Sequence, residues 1–151
     1  MEQDNGRFFN CAESVIIAAN RSVQSKHYHS VAVRIASMFG GGIVGTGEMC
    51  GAVTGALMYL GLVMGTDGTE EPIEFDRLRK GTRELGQQFV EDFVEKWGSR
   101  RCSVLIAMDK GQVPPMGTIR AENPSIKKRC NDYVQWSTER IAALMESEAL
   151  L

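Results

Sequence analysis

The sequence predicts an all-α fold: a compact bundle of about five to six helices, with residues 1–151 as a single helical domain. Three observations carry that prediction. Apolar residues recur every three and four positions through most of the chain, which gives helices with one buried stripe. No run alternates apolar and polar residues over a convincing length, and Cys102–Met108 (CSVLIAM) is the one ambiguous segment. Clusters of glycine, proline and polar residues break the pattern between the helical stretches.

The first helix is expected to carry Phe8, Cys11, Ala12, Val15, Ile16 and Ala19 on one stripe. Asp4 or Asn5 is its expected cap, because a short side-chain oxygen satisfies the free amides of a first turn. Lys26–Ser30 (KHYHS) reads as a connection, with Ser30 capping a short helix over Val31–Phe39. Gly40, Gly41 and Gly42 end that helix, since glycine tolerates left-handed termination. Thr46 is the expected cap of a third helix that runs to about Met64, with Glu48 in its first turn. Gly65–Pro72 is a polar break. A long fourth helix, from about Ile73 to Lys96, buries Phe75, Leu78, Leu85, Phe89 and Phe93, with Trp97 at its end. Gly98 interrupts, and Ser99 caps a short helix with Cys102, Leu105 and Ile106. Lys110–Pro124 is loop, because Pro114, Pro115 and Pro124 block regular helix. A last helix begins at Asn123 or Ser125 and carries Ile126, Cys130, Tyr133, Val134, Ile141, Leu144 and Met145.

At 151 residues and 43% apolar content the chain has material for a real core, so disulfides are not needed as staples. A net charge of −2 supplies no field that would draw nucleic acid or an anionic membrane. The opening MEQDNGRFF lacks the apolar segment of a secretory signal, so the expected location is the cytoplasm, where thiols are kept reduced. The apolar stretch from Met49 to Gly65 is shorter than the ~20 residues a membrane span needs.

The four cysteines are Cys11, Cys50, Cys102 and Cys130, and no pair of them forms Cys-x-x-Cys. Zinc-finger and thioredoxin spacings are therefore both absent. Each cysteine nevertheless has a neighbourhood that favours thiolate, the nucleophilic and metal-binding form. Cys11 and Cys50 sit near helix starts. Cys102 follows Arg100 and Arg101, and Cys130 follows Lys127, Lys128 and Arg129. The plainer alternative is that each is a small buried apolar residue and the cations face water.

Gly47, Gly51 and Gly55 are spaced by four, which stacks them on one helical face widened by Ala52 and Ala56. Each interior glycine costs roughly 1 kcal/mol relative to alanine, so something must approach that face closely. Gly51 and Gly55 are thus candidates for close approach of a cofactor or of another backbone. The Gly45-Thr-Gly47 element is not a dinucleotide fingerprint: Cys50 stands where the third glycine belongs, and no strand–helix–strand unit surrounds it. His27 and His29 form His-x-His without a third ligand. Asp76, Glu84, Glu91, Asp92 and Glu95 read as the solvated face of the long helix, and the methionines as core filler.

Several segments in order resemble one family: Asn10–Val15 (NCAESV), Phe39–Ile43 (FGGGI), Cys50–Gly61 (CGAVTGALMYLG), Trp97–Ile106 (WGSRRCSVLI) and Lys128–Val134 (KRCNDYV). The ordered set is similar to the C_GCAxxG_C_C family, named for its cysteine pattern and assigned redox activity by inference. Cys11, Cys50, Cys102 and Cys130 match its four cysteines, and Gly51 and Gly55 its central glycines. Met49 departs from the pattern, which has glycine before the second cysteine. The resemblance implies cysteine chemistry. Similar domains occur fused to multihaem cytochromes, which implies an electron-transfer or iron–sulfur setting; this chain has no Cys-x-x-Cys-His for covalent haem.

Three functions follow as expectations. The first is cysteine-based redox chemistry, by thiol–disulfide exchange with a redox partner protein or by electron transfer. Cys50 is its expected central thiol, because the small face beside it leaves room for approach. The second is a metal site in which Cys11, Cys50, Cys102 and Cys130 hold zinc or an iron–sulfur cluster. The third is a non-catalytic helical interaction module whose glycine face packs on a partner or on a second copy in a homo-oligomer. The first two need distant sulfurs to meet; the third does not.

Overall fold

A computed structural model describes residues 3–112 and 130–149. Among these residues lie six α-helices and one two-stranded ribbon, so the chain is all-α in class. The ribbon was not expected from the sequence. Strands β1 (Gln3–Asp4) and β2 (Arg7–Phe8) pair antiparallel, with Asp4 opposite Arg7. Asn5 and Gly6 link them with φ of 46° and 77°, the left-handed pair that tight hairpins require. An Arg7–Asp4 ion pair of 2.7 Å closes the ribbon on the surface.

Because the ribbon occupies Asp4 and Asn5, neither caps the first helix. Helix α1 (Cys11–Val23) starts later, and Asn10 caps it. The Asn10 side chain accepts from the Ala12 and Glu13 amides at 2.9 and 3.0 Å, while the Glu13 carboxylate accepts from the Asn10 amide at 2.7 Å. This reciprocal box satisfies amides that the helix itself cannot. Ala12, Val15, Ile16 and Ala19 form its fully buried stripe, whereas Phe8, expected on the same stripe, lies in β2 before the helix and is 78% exposed.

Helix α2 (Ser30–Ala36) is capped by His29, not Ser30: a ring nitrogen accepts from the Val31 amide at 3.2 Å. A short tight turn, Ser37–Phe39, continues it. Helix α3 (Gly51–Met64) begins five residues after Thr46, with Cys50 at its cap position. Gly47 therefore lies outside the helix, at φ 78°, and does not share a face with Gly51 and Gly55. Helix α4 (Pro72–Trp97) opens on proline, whose missing amide is harmless at a first position. Helix α5 (Cys102–Asp109) resolves the ambiguous apolar run as helix, and Ser99 supports its approach by accepting from the Arg101 amide at 3.1 Å. Helix α6 (Cys130–Ala149) completes the set. The proposed start at Asn123 or Ser125, and Ile126, lie outside the described residues, as does most of the Lys110–Pro124 loop.

Helix α1 is central, packed against α2, α3 and α6; α3 also meets α4 and α6. Val15, Ile16, Val53, Tyr59, Leu60, Phe89, Phe93 and Ile141 are almost fully buried. Burying one such side chain contributes about 1.5–3 kcal/mol. Helix α4 docks on α6 by aromatic edges: Trp97 lies 5.1 Å from Tyr133 at 82°, and Phe93 lies 5.7 Å from Trp136 at 71°. Asp92, expected on the solvated face, instead accepts two hydrogen bonds from Arg140 at 2.6 and 2.8 Å and ties α4 to α6. Among the described residues no helix is long and apolar enough to cross a membrane.

Candidate dithiol site

Four helices carry a cysteine at or next to their first residue. Cys11 opens α1, Cys50 immediately precedes α3, Cys102 opens α5 and Cys130 is the first residue of α6. The fold brings these ends together. The Cys11 Cβ lies against Gly51, the residue after Cys50; the Cys102 amide is bonded to Glu48, two residues before Cys50; and Cys130 is hydrogen-bonded to Cys11. The four cysteines thus share one neighbourhood, although they come from distant parts of the chain.

Two local structures build it. The first is an antiparallel bridge between Met49 and Arg101. The Cys50 amide donates to the Arg100 carbonyl at 2.8 Å, and the Cys102 amide donates to the Glu48 carbonyl at 2.6 Å. Side chains at alternate positions share a face, so Cys50 and Cys102 stand diagonally on the same side of this bridge. Arg101 and Glu48 pair at 3.3 Å on its exposed edge.

The second is the loop between α2 and α3. Gly41, Gly42, Ile43, Val44 and Gly45 all have φ between 45° and 76°. Such angles are unusual for branched residues and cost on the order of 1–3 kcal/mol each. The loop's own hydrogen bonds hold them: the Val44 amide donates to Met38 at 2.9 Å, Gly47 to Gly41 and Glu48 to Gly42 at 3.0 Å, and the Thr46 hydroxyl to Gly42 at 2.7 Å. At Gly42 a Cβ would stand 2.7 Å from the Cys102 Cβ and 2.6 Å from the Glu48 nitrogen. No side chain fits where this loop presses on the cysteine helix.

The small face of α3 is filled by α1. A Cβ on Gly51 would meet the Cys11 Cβ at 2.9 Å, and one on Gly55 would meet the Ala12 carbonyl oxygen at 2.5 Å. The close approach expected at Gly51 and Gly55 is therefore made by the backbone that carries Cys11. These glycines let the first turn of α1 pack directly on the start of α3.

The thiols differ in environment. Cys50 is only 4% exposed, and burial pushes it up to about 12 against the opposing pull of the Ala52 and Val53 amides. Burial also raises Cys102. Cys11 and Cys130 are hydrogen-bonded to each other. That bond holds the proton on Cys11, whose acidity falls, and stabilises thiolate on Cys130, which is lowered to about 7 against its own burial and the charge of Asp109. The pair thus gives up its first proton near neutrality and retains the second.

Sequence reasoning missed Asp109 and Tyr133. The Tyr133 hydroxyl donates to an Asp109 carboxylate oxygen at 2.7 Å beside the cluster. The spacing of three between Cys130 and Tyr133, which puts both on one helical face, was the available signal. His29 serves as a cap, as described. Among the described residues no group of three or more histidine, cysteine, aspartate or glutamate side chains is arranged to hold a metal ion.

Neither the curated proteins nor the solved structures gave a match to this chain. A family model described as "Putative redox-active protein (C_GCAxxG_C_C)" matches residues 9–144, nearly the whole chain with all four cysteines, and the protein belongs to that family.

Proposed function

We propose that the protein is a two-electron dithiol–disulfide redox protein whose working pair is Cys11 and Cys130. The observation that carries this reading is the hydrogen bond between the two thiols, which places their sulfurs in contact and supplies a thiolate near neutral pH. The Cys130 thiolate attacks one sulfur of a partner protein's disulfide. An S–S bond forms to Cys130, the partner's S–S bond breaks, and the first partner sulfur leaves as thiolate. Cys11 then loses its proton to solvent and attacks Cys130 Sγ, expelling the second partner sulfur. The partner gains two electrons, and Cys11–Cys130 becomes the disulfide.

Cys130 takes the attacking role expected of Cys50. Cys50 is nearly inaccessible and is held protonated, so it is a poor first nucleophile. Burial raises Cys102 as it does Cys50, so both remain neutral thiols near neutral pH.

Mild oxidation by diamide, followed by alkylation and peptide mass spectrometry, tests the reading. A linked Cys11–Cys130 peptide that disappears with dithiothreitol is expected. Four thiols that stay inert under the same treatment would sink it.

A further inference from the structure

Asp109 ends α5, the helix that Cys102 opens, and Tyr133 stands one turn beyond Cys130 on α6. Tyr133 is 3% exposed, and its hydroxyl donates across the two helices to Asp109 Oδ1 at 2.7 Å. Residues three apart lie on the same face of a helix, so this bond fixes the carboxylate on the Cys130 side of α6. We infer that Asp109, anchored by Tyr133, is a positioning residue that sets the reduction potential of the Cys11–Cys130 couple; the inference rests on the dithiol reading above.

Oxidation of the pair removes two electrons to a partner disulfide, releases the Cys11 proton and replaces a thiolate with a neutral S–S bond. A fixed negative charge beside Cys130 opposes the thiolate and leaves the disulfide unaffected. Asp109 therefore destabilises the reduced form and makes the dithiol the stronger reductant. The Tyr133 bond keeps the half-buried carboxylate from turning to solvent.

The test equilibrates the full chain in glutathione redox buffers and measures the fraction of linked Cys11–Cys130 peptide after quenching and alkylation. Asp109→Asn, which keeps shape and removes charge, is expected to shift the equilibrium about tenfold toward the dithiol, about 30 mV upward. Asp109→Glu keeps the charge and should stay near the wild-type value. Tyr133→Phe should move the equilibrium in the same direction as Asp109→Asn but less. A merely structural role would change the urea midpoint and leave the equilibrium constant in place. The inference is overturned if Asp109→Asn leaves the constant unchanged, or if Asp109→Glu shifts it as far as Asn does. Should Asp109→Asn fail to fold, the contrast between Asp109→Glu and Tyr133→Phe decides, and equal constants for the two overturn it. A wild-type chain that forms no Cys11–Cys130 peptide refutes the dithiol reading itself. A wild-type couple that Asp109→Asn does not move refutes only the role of Asp109.

Discussion

Cys11 and Cys130 share a thiol–thiol hydrogen bond, although the two residues come from helices near opposite ends of the chain. One sulfur of this pair is thereby a base and the other its proton-bearing support. Cys11→Ala removes the largest acidifying influence on Cys130, while burial and the Asp109 charge continue to oppose ionisation. Iodoacetamide should therefore label Cys130 about tenfold more slowly at pH 7 in Cys11→Ala than in wild type. Peptide-resolved alkylation kinetics measure this. Equal rates would show that the contact does not govern reactivity.

The same arrangement fixes the pH dependence of labelling. A thiol reacts as thiolate, so its rate rises with pH and levels once ionisation is complete. Cys130, lowered to about 7, should reach half its limiting rate near neutrality and change little above pH 8. Cys50, pushed up to about 12, should still be gaining at pH 10. A profile for Cys130 that continues to climb past pH 9 contradicts the assignment.

Helices and buried stripes were legible in the sequence because periodicity reports burial directly: Val15, Ile16, Phe89 and Phe93 are buried where the spacing places them. Helix starts were less legible. Asn10, with Glu13 three residues later, already had the form of a capping box, but the polar Asp4 and Asn5 competed for that role. The Asn5-Gly6 dipeptide was a hairpin signal hidden by strands of only two residues. Thr46 has the chemistry of a cap, yet its hydroxyl is bonded back into the left-handed loop at Gly42 and Ile43. That loop depends on five consecutive positive φ angles, and no propensity scale expects Ile43 and Val44 among them. The four cysteines were legible as candidates, whereas the pairing of Cys11 with Cys130 depends on how α1 packs against α6. Asp109 was invisible for the same reason: its partner Tyr133 belongs to another helix.

Cys50 also marks alkaline stability. Its acid strength is pushed from 9.0 to about 12 in the folded protein. Between those values the folded chain holds a proton that the unfolded chain has lost, so this contribution to stability is complete below pH 9 and disappears as pH rises toward 12. One such group gives a slope of about −1.4 kcal/mol per pH unit. Urea unfolding at successive pH values from 8.5 to 10.5 should show stability falling, and Cys50→Ala should flatten the fall by roughly that slope. An unchanged slope in Cys50→Ala would mean that the buried thiol titrates no differently when unfolded.

Two glycines on α3 make opposite predictions from the same substitution. Gly61 has nothing within 4 Å of the place where a Cβ would go, so Gly61→Ala adds helix propensity without contact. It should stabilise the protein by about 0.5–1 kcal/mol. At Gly55 the added methyl would stand 2.5 Å from the Ala12 carbonyl oxygen and 2.8 Å from its Cα. Backbone on both sides cannot yield as a flexible side chain would, so α1 must move away from α3. Overpacking of this kind costs about 1–3 kcal/mol, more than the propensity gain at the upper end. Because Ala12 follows Cys11, the same displacement should carry the Cys11 sulfur away from Cys130 and slow formation of the linked peptide under diamide. Urea midpoints for both variants and the yield of that peptide measure the two effects together. Gly55→Ala that is as stable as Gly61→Ala, with undiminished disulfide yield, would show that α1 does not depend on the small face of α3 to reach its place beside Cys130.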